Sequence, residues 1–276
     1  MAGILQGKVT LVTGGGSGIG RATSLRLAQE GSKVMIADYV PEGAERTVKM
    51  IKEAGGEASC VAADVSLTRQ VEMMVSKTVE TYGRLDCAFN NAGIEGEFRD
   101  TIQCTEENFD RVIAIDLKAV WLCMKYEIPQ MLKQGGGTIV NTASIAGLLG
   151  FSGAPAYVAA KHGVVGLTRT AALEYAQKNI RVNCVCPGVI RTPMVERALD
   201  SGGLTEAEVI VSEPVGRLGK PEEIAEGVLW LLSEGSSFIT GHPLTIDGGW
   251  AARYGRHRHK NGDESWLKYY KAKLCS

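Results

Sequence analysis

The sequence predicts an α/β protein built on a doubly wound parallel sheet of about seven strands with helices on both faces, and three observations point there. Seven short apolar runs, at 9–12, 34–37, 58–62, 85–89, 138–141, 181–185 and 244–246, alternate with longer stretches of helical character near 19–30, 42–54, 68–82, 106–133, 156–177 and 222–233. The short runs are continuously apolar rather than alternating, which is the pattern of strands covered on both faces. A glycine cluster lies between the first run and the first helical stretch. Parallel strands joined by right-handed crossovers then place helices on both sides of the sheet.

The chain has 276 residues, 30 Lys+Arg against 31 Asp+Glu, and 45% hydrophobic residues, enough for one large core. Balanced charge argues against a dedicated nucleic-acid or membrane-surface binder. No stretch approaches ~20 apolar residues, so no membrane span is expected. The start, Met1 to Lys8, lacks the basic and apolar blocks of a signal peptide. Seven cysteines without a CxxC pair are read as free thiols in a reducing cytoplasm. With no internal repeat and no linker before residue 250, residues 1–252 are read as one dinucleotide-binding and catalytic domain.

The remaining residues, 253–276, carry seven basic and two acidic side chains, a net +5, whereas residues 1–252 sum to −6. This basic extension is either a solvated tail or an arm on a neighbouring subunit, with Trp266, Leu267, Tyr269 and Tyr270 as anchors. A nucleic-acid arm is a third reading, not favoured by the overall charge. His257 and His259 on a basic loop are taken as exposed, and no metal site is expected.

The first strand leads into Thr13-Gly14-Gly15-Gly16-Ser17-Gly18-Ile19-Gly20 and then a helix. Glycines let backbone approach a pyrophosphate closely, and the helix N-terminus offers unpaired N–H groups. The spacing is GxxxGxG, a variant of the Rossmann-type dinucleotide fingerprint. Asp38 ends the second strand, where a carboxylate accepts hydrogen bonds from ribose hydroxyls and repels a 2′-phosphate; it could also simply start a turn before Pro41. No Arg or Lys follows at 39 or 40, so NAD is preferred over NADP. Asp64 could reach the adenine edge or serve the turn toward Ser66.

Ser144 follows the fifth strand, Tyr157 lies thirteen residues on, and Lys161 one helical turn beyond Tyr157. A tyrosine base working near neutrality needs roughly 4 kcal/mol of preferential stabilisation of its anion. The Lys161 ammonium and an oxidised nicotinamide ring are the expected sources. Ser144 is placed to orient a substrate oxygen. The tail repeats the spacing at Tyr269 and Lys273 with no serine or glycine turn to serve, and that copy is assigned to chance.

With these pieces in order, together with Asn90-Asn91-Ala92-Gly93, Pro187-Gly188 and Asp247-Gly248-Gly249, residues 1–252 resemble the short-chain dehydrogenase/reductase family. The resemblance implies an NAD(P)-dependent oxidoreductase interconverting a secondary alcohol and a ketone. Tyr157 would be the acid/base, Ser144 the holder of the substrate oxygen, and Lys161 the partner of the nicotinamide ribose that lowers the tyrosine pKa. It further implies a cofactor set of Gly14, Ser17, Gly18, Ile19, Gly20, Asp38, Asp64, Val65, Asn90, Ala92, Gly93, Tyr157, Lys161, Pro187, Gly188, Ile190, Thr192 and Met194. Segment 90–93 also reads as an ordinary turn after a strand. One position departs from the family, with Asp116 where an Asn usually serves a proton relay through its main-chain carbonyl. A carboxylate there could offset the effect of Lys161 on Tyr157 and raise the optimum pH.

Substrate-facing segments are expected at 94–98, 145–155 and 194–214, the last able to close over the site, although these residues could equally pack the lid. Their mixed apolar character points to a small neutral alcohol or ketone, cyclic or aryl-substituted. The alternatives are an NADPH-dependent 3-oxoacyl reductase, against which Asp38 and the acidic body speak, and a non-catalytic dinucleotide-binding module. The family implies a homotetramer, with Trp121, Val164, Val165, Leu167 and Leu173 as one candidate face unless the monomer core takes them.

Overall fold

In the computed structural model, residues 3–200, 205–211 and 213–253 are described. The strands are β1 (Val9–Thr13), β2 (Lys33–Asp38), β3 (Glu57–Ala62), β4 (Cys87–Asn90), β5 (Gly137–Thr142), β6 (Ile180–Pro187) and β7 (Pro243–Ile246). The helices are α1 (Gly18–Gln29), α2 (Pro41–Glu53), α3 (Thr68–Tyr82), α4 (Glu106–Ile113), α5 (Ala119–Lys133), α6 (Pro155–Tyr175), α7 (Pro193–Asp200), α8 (Glu206–Val211) and α9 (Pro221–Leu232). All seven strands join one parallel sheet in the order β3-β2-β1-β4-β5-β6-β7.

Successive strand residues point to opposite faces, so a strand buried on both sides must be apolar throughout. Leu11, Met35, Ala88, Ile139 and Val182 enter one core with α3, α5 and α6. Their neighbours Val12, Val34, Ile36, Phe89, Val140 and Val185 enter the other with α1, α2 and α9. The run at 58–62 is the exception, since β3 is the sheet edge and Cys60 is exposed there. Strand order reverses between β1 and β4, opening a crevice at their carboxyl ends. Thr13 and Asn90 sit opposite each other at its base.

The stretch read as one helix at 106–133 has a fault in it. A π-helical turn at Ala114–Lys118 separates α4 from α5, and such turns reposition side chains at functional sites. The segment at 194–214, expected to face the substrate and close over the site, carries most of α7 and all of α8. Val164 and Val165 are buried in the monomer core, so they leave the candidate subunit face, while Trp121 (43% exposed) and Leu173 (86%) stay on the surface. The proposed tail beyond Arg253, the second Tyr-Lys pair and Ser201-Gly202-Gly203 lie outside the described residues. Six cysteines are described, all free. Among the described residues no helix is long and apolar enough to cross a membrane.

Under the crevice runs a buried polar chain. Asn90 Nδ2 donates to Glu127 Oε2 and to Asn141 Oδ1, each at 3.0 Å, and Asn141 Nδ2 donates to Thr168 Oγ1 at 3.0 Å. Glu127 is fully buried, and Oε1 has no hydrogen-bond partner. Burial therefore pushes its carboxyl up to about 7. A raised carboxyl binds its proton more tightly when folded, so stability falls as pH rises from the unfolded value near ~4.3 to about 7, then levels. The full cost above that window is about 4 kcal/mol. Glu127→Gln should therefore gain on wild type by about 2 kcal/mol between pH 5 and pH 8, measured by urea unfolding at both pH values. An unchanged difference would contradict the buried carboxyl.

Candidate active site

The glycine turn is packed so tightly that only its backbone forms a surface. Gly14 (φ 64°) and Gly18 (φ 49°) occupy the left-handed region that disfavours side chains. A Cβ on Gly20 would lie 2.1 Å from the Gly14 carbonyl oxygen, and one on Gly16 would lie 2.7 Å from Asp38 Oδ2. Ser17 caps α1 with extended backbone and makes no side-chain cap bond, leaving the first N–H groups of the helix to a ligand. Thr13 Oγ1 accepts from the N–H groups of Asn91 and Ala92 at 3.0 and 3.1 Å, and Asn91 Nδ2 returns bonds to the Thr13 and Gly14 carbonyls at 3.1 and 3.3 Å. Such a cradle fits a pyrophosphate. Asn91 and Thr13 hold it, yet neither was singled out from sequence, although both lay inside the quoted motifs.

The carboxylate of Asp38 accepts the Gly16 N–H at 2.7 Å and the Val40 N–H at 2.8 Å, so it braces the turn as well as ending β2. Asp64 Oδ1 accepts from the Ser66 N–H and hydroxyl at 2.9 and 2.7 Å, which is the turn chemistry weighed above. Val65 is buried in the core, and Ile19 packs against the opposite core. The side chain of Asn90 belongs to the buried chain below the crevice, and a Cβ on Gly93 would meet Asp116 Oδ2 at 3.3 Å.

Ser144 lies just past β5; its Oγ accepts the Ala146 N–H at 3.1 Å, and its hydroxyl lies near enough to Tyr157 to favour the phenolate. Near the start of α6, Lys161 Nζ sits 5.4 Å from the centroid of the Tyr157 ring and donates to the Thr142 carbonyl at 3.1 Å. Asp116, carried by the π-helical turn, sets its Oδ2 3.1 Å from Lys161 Nζ and accepts the Ile94 N–H on Oδ1 at 2.8 Å. Lys161 is 3% exposed and Asp116 not at all, which makes this a buried ion pair.

Burial lifts the Asp116 carboxyl above its ordinary value, against the pull of Lys161. Burial pulls the Lys161 ammonium down, but Asp116 and Tyr157 outweigh it and leave it raised. Tyr157 comes out raised: burial dominates, Lys161 opposes, and Asp116 reinforces the rise. The expected pull of Lys161 on the tyrosine is present but does not decide its net direction. Lys161 acts in the expected direction, but its charge faces a carboxylate, and desolvation of the phenol prevails.

Beyond β6 the chain closes the crevice. Pro187 ends the strand, the Gly188 N–H donates to the Ile246 carbonyl at 3.0 Å, and a Cβ on Gly188 would lie 2.8 Å from Asp247 Cα. This close approach accounts for Pro187-Gly188 and Asp247-Gly248-Gly249 appearing together. Ile190 is buried and pairs with Gly219. Thr192 lies over the glycine turn, its Cγ2 3.3 Å from the Cβ position of Gly18, and Met194 is half-buried on α7. Phe151 stacks on Trp250 with ring centroids 5.0 Å apart, an aromatic contact that spacing alone did not reveal. The loops at 94–104 and 145–155 are joined by the Arg99 N–H donating to the Gly153 carbonyl at 2.8 Å.

The sequence profile of a family described as Enoyl-(Acyl carrier protein) reductase matches residues 14–251. The chain is 46% identical over 253 residues to the cyclohexanol dehydrogenase of Acinetobacter sp. (strain SE19), covering 92% of this chain and 98% of that relative. It is 43% identical over 249 residues to a 2,5-dichloro-2,5-cyclohexadiene-1,4-diol dehydrogenase of Sphingobium indicum, covering 90% and 98% respectively. The crystal structure of levodione reductase superposes with a TM-score of 0.88 at 43% identity, covering 91% of this chain and 100% of that one. With these matches spanning nearly all of the sheet, the chain belongs to the short-chain dehydrogenase/reductase family of NAD(P)-dependent oxidoreductases.

Proposed function

We propose that this protein interconverts a small neutral cyclic secondary alcohol and its ketone, with NAD preferred and Tyr157 as the general acid/base. The observation that carries the reading is the buried Lys161 ammonium 5.4 Å from the centre of the Tyr157 ring, with Ser144 at the end of β5 beside them and the glycine cradle at the same end of the sheet. In oxidation, Tyr157 takes the proton from the substrate hydroxyl while Ser144 holds the same oxygen. In reduction the proton returns from Tyr157 to the developing alkoxide. When bound, NAD supplies the acceptor for the carbon-bound hydrogen as hydride, and NADH its donor.

Gly14, Ser17, Gly18, Ile19 and Gly20 would hold the pyrophosphate, and Asp38 the adenosine ribose. Asp64, Val65, Asn90, Ala92 and Gly93 would border the adenosine half. Pro187, Gly188, Ile190, Thr192 and Met194 would flank the nicotinamide, with Lys161 at its ribose. A carboxylate at Asp38 disfavours a 2′-phosphate, which speaks against an NADPH-dependent 3-oxoacyl reductase. The ring alcohols in the names of two relatives support a cyclic substrate, and Phe151 stacked on Trp250 offers a flat apolar wall. A homotetramer fits the exposed Trp121 and Leu173, and the free cysteines fit a reducing cytoplasm.

Tyr157→Phe removes the proton acceptor without altering the cradle. Oxidation of cyclohexanol should fall by about 10³-fold or more while NAD affinity, read by equilibrium dialysis, stays within about threefold. Retained turnover would reject Tyr157 as the base, and turnover absent in both forms would reject the substrate class.

Asp116 is assigned as a positioning residue acting through Lys161. It raises Tyr157, and oxidation requires the phenolate, so the carboxylate should hold the acid limb of kcat/KM at higher pH than an amide would. Asp116→Asn should keep turnover and shift the acid limb of kcat/KM to lower pH. Superimposable pH–rate profiles would remove Asp116 from the mechanism.

A further inference from the structure

Two walls face each other across the mouth of the catalytic cleft. On one side Ile94 packs against a small cluster formed by Val112, Ala156 and Ala160, which Tyr157 also joins, and Asp116 holds its N–H. Glu95, the next residue, is thereby fixed at the rim. On the other side α7 starts above the glycine turn. From the middle of α7, Arg197 reaches across to place Nη2 3.9 Å from Glu95 Oε1.

With side chains 66% and 32% exposed, this pair contributes little to stability. Its consequence lies in the order of the two charges. Of the two, the carboxylate stands nearer the catalytic residues, because the adjoining Ile94 is held by Asp116 and packs on the same cluster as Tyr157. The guanidinium comes from the outer wall. A substrate entering between the walls therefore meets a negative group close to the reacting position, with its field partly cancelled from outside.

We propose that Glu95, paired with Arg197, is a specificity-determining residue that admits neutral ring ketones and alcohols and rejects those bearing a carboxylate or phosphate. The assignment rests on the oxidoreductase reading of the crevice and names which members of that substrate class it accepts. Because the two charges oppose each other, breaking the pair from either side loosens the clamp alike but shifts charge selectivity in opposite directions. Removing the carboxylate leaves an unopposed cation that favours anionic substrates. Removing the guanidinium leaves an unopposed anion that rejects them more strongly. A purely structural role would move both variants the same way.

The test compares NADH-dependent reduction of 4-methylcyclohexanone and 4-oxocyclohexane-1-carboxylate by wild type, Glu95→Gln and Arg197→Gln at low salt. The readout is the ratio of kcat/KM for the neutral over the anionic ketone, in which any general loss from a loosened clamp cancels. Glu95→Gln should lower the ratio about fourfold and Arg197→Gln raise it about fourfold, the size expected for unit charges roughly 10 Å apart in a partly wet cleft. Both shifts should shrink at about 1 M salt. Wild type working on the neutral ketone, with variant ratios unchanged or moving together, overturns this assignment alone. Wild type inactive on both ketones overturns the substrate reading and this assignment with it.

Discussion

The buried pair between Lys161 and Asp116 is the contact on which the rest of the site depends. Taking two ions out of water costs several kcal/mol each, and only close geometry with further hydrogen bonds offsets that. Here Lys161 also donates to the Thr142 carbonyl and Asp116 also accepts the Ile94 N–H. The pair therefore fastens α6, the end of β5, the π-helical turn and the loop after β4 at one point. Removing Lys161 would strand the Asp116 carboxylate in the interior, a loss of about 3–5 kcal/mol in comparable buried pairs.

The same pair sets the state of Tyr157. An ammonium facing only the phenol would favour the phenolate, but an ammonium already matched by a carboxylate has less field to give. Burial of the ring then decides, and the phenol holds its proton in the protein alone. On the proposed reading, a bound oxidised nicotinamide would add a second positive charge beside the phenol. The proposed proton abstraction would in this way be tied to cofactor binding. Beneath, the chain from Glu127 through Asn90 and Asn141 to Thr168 links α5, β4, β5 and α6 into one polar scaffold.

Much of this was legible in the sequence because it is local. The glycine turn, Asp38 at the end of β2, and Tyr157 one turn before Lys161 are fixed by spacing within or next to single elements. The two-face burial of the sheet followed from runs such as 9–12 and 138–141. Asp116 stood out as a departure, yet its 3.1 Å contact with Lys161 required the π-helical turn, which an uninterrupted helical pattern at 106–133 conceals. Glu127 was invisible for a related reason, since one polar residue in a long helix reads as part of its solvent face. The Glu95–Arg197 and Phe151–Trp250 contacts join segments far apart in the chain, and no periodicity encodes them. Val164 and Val165 show the converse, apolar residues that suit a subunit face equally well but were taken by the core.

The most direct test of the coupling between Tyr157 and cofactor is its ionisation, followed as tyrosinate absorbance near ~295 nm in wild type minus Tyr157→Phe, with and without NAD. Without NAD, Tyr157 should ionise above the ordinary tyrosine value of ~10, and with NAD its ionisation should move distinctly lower. Ionisation at or below ~10 in the protein alone, or no response to NAD, would contradict the role given to the Lys161–Asp116 pair.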